Sequence, residues 1–392
     1  MQFVLVLAIL FGHIFLWIGL LNRLHGTGIS QGLKKILTLV YFTAMGLGPV
    51  VALWRLCAGE NLLGHVNREL IRQPGWMAFW LYAILCLLAG VATLVRWICH
   101  RLRRAPRLLS FHRRRRVSIT PAAAALSSAE QSHHPALRLP GNQALQLELT
   151  EWACEVPRLP RELDGLTVLH LSDLHFTGLI GKGYFREVVR VGNELKADLV
   201  TITGDFLDKA ECLDWIPDIL GRLTARYGVY AILGNHDRCV EENRLRQILA
   251  QSGMIDVGAR WISVNIRGEE VIIAGNELPW YRPAADLAAC PPRPSHGGQL
   301  RIALAHSPDQ IDWARAGDID LMLSGHTHGG QICFPIVGPI FSPTASGVKY
   351  ISGLFYAQPT IFHVTRGISG RHPLRWNCRP EITLLTLHAP VR

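Results

Sequence analysis

The sequence predicts an α/β domain, built from parallel βα units joined to antiparallel strands, behind about three membrane-spanning helices. Three observations carry this expectation. Uncharged apolar runs fill the first hundred residues. Further along, short apolar runs repeatedly end in Asp, Asn and His. The final stretch is strand-rich and has no long helical period.

The apolar runs lie at 3–21, 36–54 and 76–95, which is 19, 19 and 20 residues without Asp, Glu, Lys or Arg. Roughly 20 apolar residues span a bilayer as helix, so the runs read as spans. His13 sits within the first, and Gly46, Gly48 and Pro49 interrupt the second. A cleaved signal peptide fits poorly, because the first basic side chain is Arg23 and no small-residue cleavage site follows. The segment "HRLRRAPRLLSFHRRRR", 100–116, carries eight Arg and no acid. Short loops rich in Lys and Arg stay cytoplasmic, which predicts a multi-pass cell (inner) membrane protein with its large domain in the cytoplasm. The same segment accounts for most of the formal net charge: +10 less eight leaves +2. The basic balance therefore points to anionic lipid at the Arg-rich segment, and no nucleic-acid partner is expected. Nine scattered Cys, with no C-x-x-C, fit free thiols in a reducing compartment.

These features divide the chain into a transmembrane region (1–99), a basic juxtamembrane segment and linker (100–142), and a domain (143–392). The linker is rich in Ala, Ser, Pro and His. In the domain, "LTVLHLSDLHF" reads as a strand ending in polar residues. "REVVRVGNELKADLVTITGDFLD" reads as helix, strand and polar loop, and "CLDWIPDILGRLTARYGVYAILGNHD" repeats that order. "RIALAHSPD" and "DIDLMLSGHTHGG" add two strands, with a hairpin pattern in "WISVNIRGEEVIIAGNELPW" before them. In open α/β sheets ligands bind where such strands end.

Five strand-end motifs then stand in order: Asp173-Leu174-His175, Gly204-Asp205, Gly234-Asn235-His236-Asp237, Ala305-His306 and Gly325-His326-Thr327-His328. Each alone is weak, since GD and GNHD are ordinary turn sequences; the ordered set is not. Carboxylate, amide and imidazole donors without thiolate suit Mn, Fe or Zn. They outnumber the ligands of one tetrahedral zinc and match two divalent ions sharing a carboxylate, as used for in-line displacement at phosphorus. In an extended segment His326 and His328 would point to the same side, about 6.5–7 Å apart.

Together "SDLHF", "ITGDFLD", "GNHD", "AHSPD" and "GHTHGGQ" resemble the calcineurin-like metallophosphoesterase family, in its bacterial membrane-associated phosphodiesterase branch, over roughly 143–392. The resemblance implies a β-sandwich flanked by helices (α/β/β/α). It implies one metal on Asp173, His175 and His328, a second on Asn235, His306 and His326, and Asp205 bridging them. It gives His236 the task of steadying phosphoryl oxygens or protonating the leaving oxygen, with Asp237 orienting it and Asp208 in support. The implied reaction is hydrolysis of a phosphodiester or pyrophosphate by a metal-bridging hydroxide. The membrane tether suggests a lipid-linked substrate, UDP-diacylglucosamine being the specific model. A non-catalytic scaffold is the rival reading, but no expected ligand is missing.

Three further readings concern single residues. His170 reads as packing. Lys182 in "GLIGKG" lacks P-loop spacing but lies where it could touch a phosphate, as do Arg366 and Arg371. Asn276 and Glu277 stand where relatives often carry acids.

Overall fold

The structure is a computed structural model of the 392-residue chain. It describes the whole chain except residues 1, 28, 30, 58–73, 103–108, 119–133, 282, 295–297, 336 and 391–392. The chain divides into two compact units, Met1–Ala105 and Pro106–Arg392.

The first unit holds helices α1 (Gln2–His25), α2 (Gln31–Cys57) and α3 (Pro74–Leu102). Helices α1 and α3 approach closely because the contact is made at small residues: a Cβ on Gly12 would lie 1.7 Å from the Cys86 carbonyl oxygen. Polar side chains bond inward, His13 Nδ1 and Trp17 Nε1 both to Tyr82 Oη at 2.6 Å. The outer face is apolar: Ile36, Leu39, Val40, Phe42, Leu81, Leu88 and Val91 are each more than half exposed. Among the described residues, one helical segment, Leu7–His25, is long and apolar enough to cross a membrane; Trp80–Val95 is shorter. Among the described residues, then, one of the three predicted spans meets the requirement. Lys34 and Lys35 lie inside the first two turns of α2, and Arg96 closes the apolar stretch of α3.

The second unit is built on two sheets. The first has seven strands in the order β1 (Leu109–Ser118), β2 (Gln146–Glu155), β15 (Glu381–His388), β3 (Leu166–Leu171), β4 (Leu199–Thr203), β5 (Val229–Ile232) and β6 (Met254–Asp256). The second runs β13 (Gly353–Ala357), β14 (Thr360–Val364), β10 (Leu321–Ser324), β9 (Leu300–Ala305), β8 (Glu269–Asn276) and β7 (Trp261–Ile266). β3–β4–β5–β6 are parallel, as are β8–β9–β10–β14, and antiparallel strands flank them. A two-stranded ribbon, β11 (Cys333–Phe334) with β12 (Gly338–Pro339), stands apart.

Alternation sorts the side chains. Leu166 and Val168 of β3 join Ile232, Ile273, Ile302, Leu321 and Ile361 in a core between the sheets. Leu169 and Leu171 point the other way, into a core with helix α4 (Lys182–Glu194). That helix buries Tyr184, Phe185, Val188, Val189 and Val191, the i, i+3, i+4 stripe of an amphipathic helix. Helices α5 (Trp215–Ile219) and α6 (Glu242–Gln251) share this side. Helix α7 (Ile311–Ala316) covers the far face of the second sheet, packing Ile311 and Ala314 on Met322 and Phe362. The result is the helix, sheet, sheet, helix layering expected.

The domain also begins earlier than predicted. Arg113 to Arg116, read as juxtamembrane, lie on β1, which pairs antiparallel with β2 at the edge of the first sheet. Four consecutive arginines hide a strand from apolar periodicity, because an edge strand has a face that need not be buried. Asn142 is also bound in, donating to the Pro373 carbonyl and accepting from Arg375 N. Most of the predicted linker, 119–133, lies outside the described residues.

Candidate metal centre

All five motifs follow the C-terminal ends of parallel strands, three from the first sheet (β3, β4, β5) and two from the second (β9, β10). Their side chains converge. The ligand atoms of Asp173, His175, Asp205 and His328 lie within 4.8 Å of one another, and so do those of Asp205, His306 and His326. Asn235 joins the second group, its Oδ1 3.1 Å from His306 Nε2. Asp205 belongs to both.

The backbone does this at a cost. Asp173, His175, Asp205, His326 and His328 all have φ between 46° and 68°, the left-handed region that L-residues rarely enter. His326 and His328 are therefore on a turn after β10, not on the extended segment expected. Their rings still diverge to different groups: His328 packs on His175 and His326 on His306, with centroids 4.8 and 4.9 Å apart. Close approach of the turns requires glycine. A Cβ on Gly234 would lie 2.2 Å from Asp205 Oδ1, and one on Gly325 would lie 2.3 Å from Asp173 Oδ2.

Each clustered imidazole is oriented from behind by an oxygen. His306 Nδ1 donates to the Thr203 carbonyl (2.6 Å), His328 Nδ1 to the Ser369 carbonyl (3.1 Å) and His326 Nε2 to the Pro343 carbonyl (3.0 Å). His175 Nδ1 donates to Asp208 (2.8 Å). This fixes which nitrogen carries the proton and leaves the other for a metal, the arrangement typical of metal-ligating His. Burial lowers His326 and His328 to about 3, so both stay neutral donors. Burial also acts to lower His306, but the carboxylates of Asp205 and Asp173 outweigh it and lift this group to about 9.

The carboxylate of Asp205 tests whether divalent ions fit. Its Oδ1 accepts from His236 N at 2.8 Å, while its Oδ2 is buried without a hydrogen-bond partner. That oxygen lies 3.4 Å from His175 Nε2 and 3.3 Å from His306 Nε2, between the two groups. A buried anionic oxygen with no donor is expensive, and cations on either side would satisfy it.

His236 lies at the rim, a quarter exposed, and its Nδ1 donates to Asp208 Oδ1. Asp208 thus spans His175 and His236. The contact with the His236 ring expected of Asp237 is made by Asp208. Asp237 is fully buried and instead accepts four backbone N–H groups, from Gly234, Asp205, Phe206 and Leu207, at 2.7–3.2 Å. It shapes the turns that carry Asp205 and Asn235.

Other readings are redistributed. Lys182 is 3.4 Å from both Asp214 and Asp218 and lies over Trp215, so it is engaged away from the centre. Arg366 is partly buried and pairs with Glu381 and Glu148. Arg371 is exposed. His170 is buried on Thr203 and His363. Glu277 pairs with Arg246 and accepts from Leu233 N. Two residues near the site carried no sequence signal. Trp280 packs on the rings of His306 and His326. Arg375, fully buried, donates to the carbonyls of His328, Arg366 and Ser369.

A layered sandwich with donors of this kind at its strand ends defines a metallophosphoesterase, a hydrolase acting on phosphoesters. A family model described as calcineurin-like phosphoesterase matches residues 166–330. The chain is 35% identical over 228 residues to phosphodiesterase YaeI of Escherichia coli (strain K12), covering 56% of this chain and 81% of that protein. It is 31% identical over 256 residues to the uncharacterized metallophosphoesterase YkuE of Bacillus subtilis (strain 168), covering 62% and 85%. A Bos taurus protein named transmembrane protein with metallophosphoesterase domain is 29% identical over 329 residues, covering 78% of this chain and 70% of its own. The chain belongs to the calcineurin-like phosphoesterase family.

Proposed function

We propose that this protein is a membrane-anchored, binuclear metal-dependent phosphohydrolase that cleaves a phosphodiester or pyrophosphate presented at a membrane surface. The observation that carries the reading is the Asp205 carboxylate shared by two ligand groups, with Oδ2 unpartnered between them. Asp173, His175 and His328 would hold one ion, and Asn235, His306 and His326 the other, with Asp205 between. Two divalent ions (Mn, Fe or Zn) would supply Lewis-acid charge to the phosphoryl oxygens and a nucleophilic water at neutral pH. The chain supplies the rest. Asp208 accepts a hydrogen bond from His236 Nδ1 and favours the imidazolium form, whose Nε2–H would donate to a phosphoryl or leaving oxygen. Asp237 keeps the Asp205 and Asn235 turns in register.

Anchoring is supported by the apolar helix Leu7–His25, by the apolar outer face of the first unit, and by relatives named as transmembrane proteins. Apolar surface on this scale is otherwise rare in soluble monomers. The arginines of 100–116 would meet anionic lipid, with the large domain on the cytoplasmic side. A lipid-linked diphosphate such as UDP-diacylglucosamine suits that placement.

The test is hydrolysis by full-length protein in detergent micelles with manganese, offering UDP-diacylglucosamine and a bis-aryl phosphodiester. We expect His236→Ala to lower kcat on the cleaved substrate by on the order of a hundredfold or more. Cleavage of the diester alone would remove the lipid assignment. Equal rates for wild type and variant on every substrate would remove the mechanism.

A further inference from the structure

We infer that Cys333 and Cys378 form an oxidation site: a thiol pair that closes to a reversible disulfide under hydroperoxide and loosens the His328 turn. The inference rests on the metal role proposed for His328.

The two cysteines are 45 positions apart in sequence and are brought together beneath the turn that carries His328. Cys378 Sγ lies 3.2 Å from the His328 carbonyl oxygen and 3.4 Å from that of Gly329. Cys333 Sγ lies 3.4 Å from the same Gly329 oxygen, so one carbonyl oxygen is shared by both thiols. The backbone holds them in place: Cys333 N donates to the Trp376 carbonyl at 2.9 Å, and Asn377 Nδ2 donates to the Cys333 carbonyl at 3.1 Å. Cys333 is half-buried and within reach of a small oxidant, while Cys378 is buried behind it. Among the other described cysteines, Cys86, Cys154, Cys212 and Cys290 are buried and Cys239 is exposed, and all of them are free.

The chemistry balances with a hydroperoxide as oxidant. The Cys333 sulfur attacks the O–O bond; a sulfur–oxygen bond forms, the O–O bond breaks, and with hydrogen peroxide water leaves. The Cys378 sulfur then attacks the Cys333 sulfenic acid; the disulfide forms and the sulfur–oxygen bond breaks, releasing a second water. The two thiol protons end in water, and two electrons pass from the thiols to the peroxide.

The consequence follows from what the thiols hold. His328, Gly329 and Gly330 all have left-handed φ (51°, 61° and 81°), and the S–H groups donate to the first two of their carbonyls. A disulfide has no S–H. The Gly329 carbonyl loses its thiol donors, and that of His328 keeps Arg375 Nη1 and the Gln331 N–H. A strained turn with fewer bonds holds its metal ligand less well.

The experiment treats full-length protein in detergent, loaded with manganese, with hydrogen peroxide, then alkylates and digests it for mass spectrometry. Release of manganese to a chelator is followed in parallel. We expect a cross-linked peptide pair joining Cys333 to Cys378, about 2 Da lighter than the two thiol peptides and reversed by dithiothreitol. Oxidised wild type should release manganese on the order of tenfold faster. Cys333→Ser, whose hydroxyl still donates to Gly329, should show neither change. Both thiols still alkylatable after peroxide would overturn the pair. A cross-link with unchanged metal release would overturn the coupling to His328. Unoxidised wild type that binds no manganese would instead remove the metal assignment on which the inference rests.

Discussion

Asp208→Asn isolates the residue that joins the metal centre to the proposed acid. The wild-type carboxylate accepts two ring protons at once, from His175 at 2.8 Å and from His236. Burial acts to raise its pKa, but the two imidazoles outweigh burial and hold it well below the usual carboxylate range. An asparagine fits the same space with one acceptor and one donor. Its Oδ1 can serve only one ring, and its Nδ2 faces the proton of the other. The loss is one hydrogen bond to a charged acceptor in a site only 9% exposed, about 1.5–3 kcal/mol, or roughly ten- to 150-fold in rate or affinity. Which quantity falls depends on which ring is abandoned. If it is His236, kcat falls while manganese affinity holds. If it is His175, manganese affinity falls about ten- to a hundredfold and excess metal restores the rate. The assay is steady-state hydrolysis of the bis-aryl diester across a manganese titration, with a pH profile at saturating metal. Asp237→Asn is the control: it should cost stability, through four backbone bonds, rather than shift the pH profile. Wild-type kcat/KM for Asp208→Asn at both limiting and saturating metal would refute the bridging role. A shifted profile from Asp237→Asn alone would restore the orienting role to that residue.

Other outcomes are expected from the same geometry. Gly325→Ala places a Cβ 1.9 Å from Ser172 Oγ and 2.3 Å from Asp173 Oδ2, so the purified variant should bind less metal than wild type, read by elemental analysis. His306 is raised to about 9 and His175 well above its ordinary value, in each case by carboxylates that outweigh burial. Ligation requires their neutral form. Metal loading near pH 7 should therefore release about two protons, seen by calorimetry in buffers of different ionisation enthalpy, and fewer above pH 9. Burial acts to raise Glu381, yet Arg366 brings it down from 4.5 to about 2. A carboxyl lowered from 4.5 to about 2 contributes about 3 kcal/mol. That contribution is complete above pH 4.5 and is lost as pH falls from 4.5 toward 2. Denaturant titrations at descending pH should show a shallower loss for Glu381→Gln than for wild type, and equal slopes would refute the assignment.

Much of the site was legible because its residues interrupt apolar strands, and a strand end is a position that hydropathy reads well. What escaped depends on partners that the sequence does not display. Asp208 acts on rings 33 and 28 positions away, on two different strand ends. Arg375 carried no signal in the sequence, because its partners are main-chain carbonyls. Arg366 reads as a surface-loop arginine that could reach a phosphate, since its two glutamates lie 15 and 218 positions away. The strand β1 was hidden by its arginines.

The left-handed ligands link the sequence pattern to function. A strand delivers its last residue in extended conformation, with neighbouring side chains on opposite faces. Two groups of donors around one carboxylate need side chains that double back on the sheet edge, and left-handed residues do this within one step. Asp and His tolerate such φ values better than branched or bulky residues, but each still stores on the order of 1–3 kcal/mol. The glycines beside them remove clashes without removing that strain. What holds the turns is the ring of backward bonds: Asp237 to four amides, the oxygens of Thr203, Ser369 and Pro343 to three imidazoles, and Arg375 to three carbonyls. None of these partners is itself among the clustered donors, so the strain is carried by residues that leave the donor atoms free. A site assembled this way is shaped before an ion arrives, and substitutions in the surrounding ring should change how tightly metal is held more than whether the domain folds.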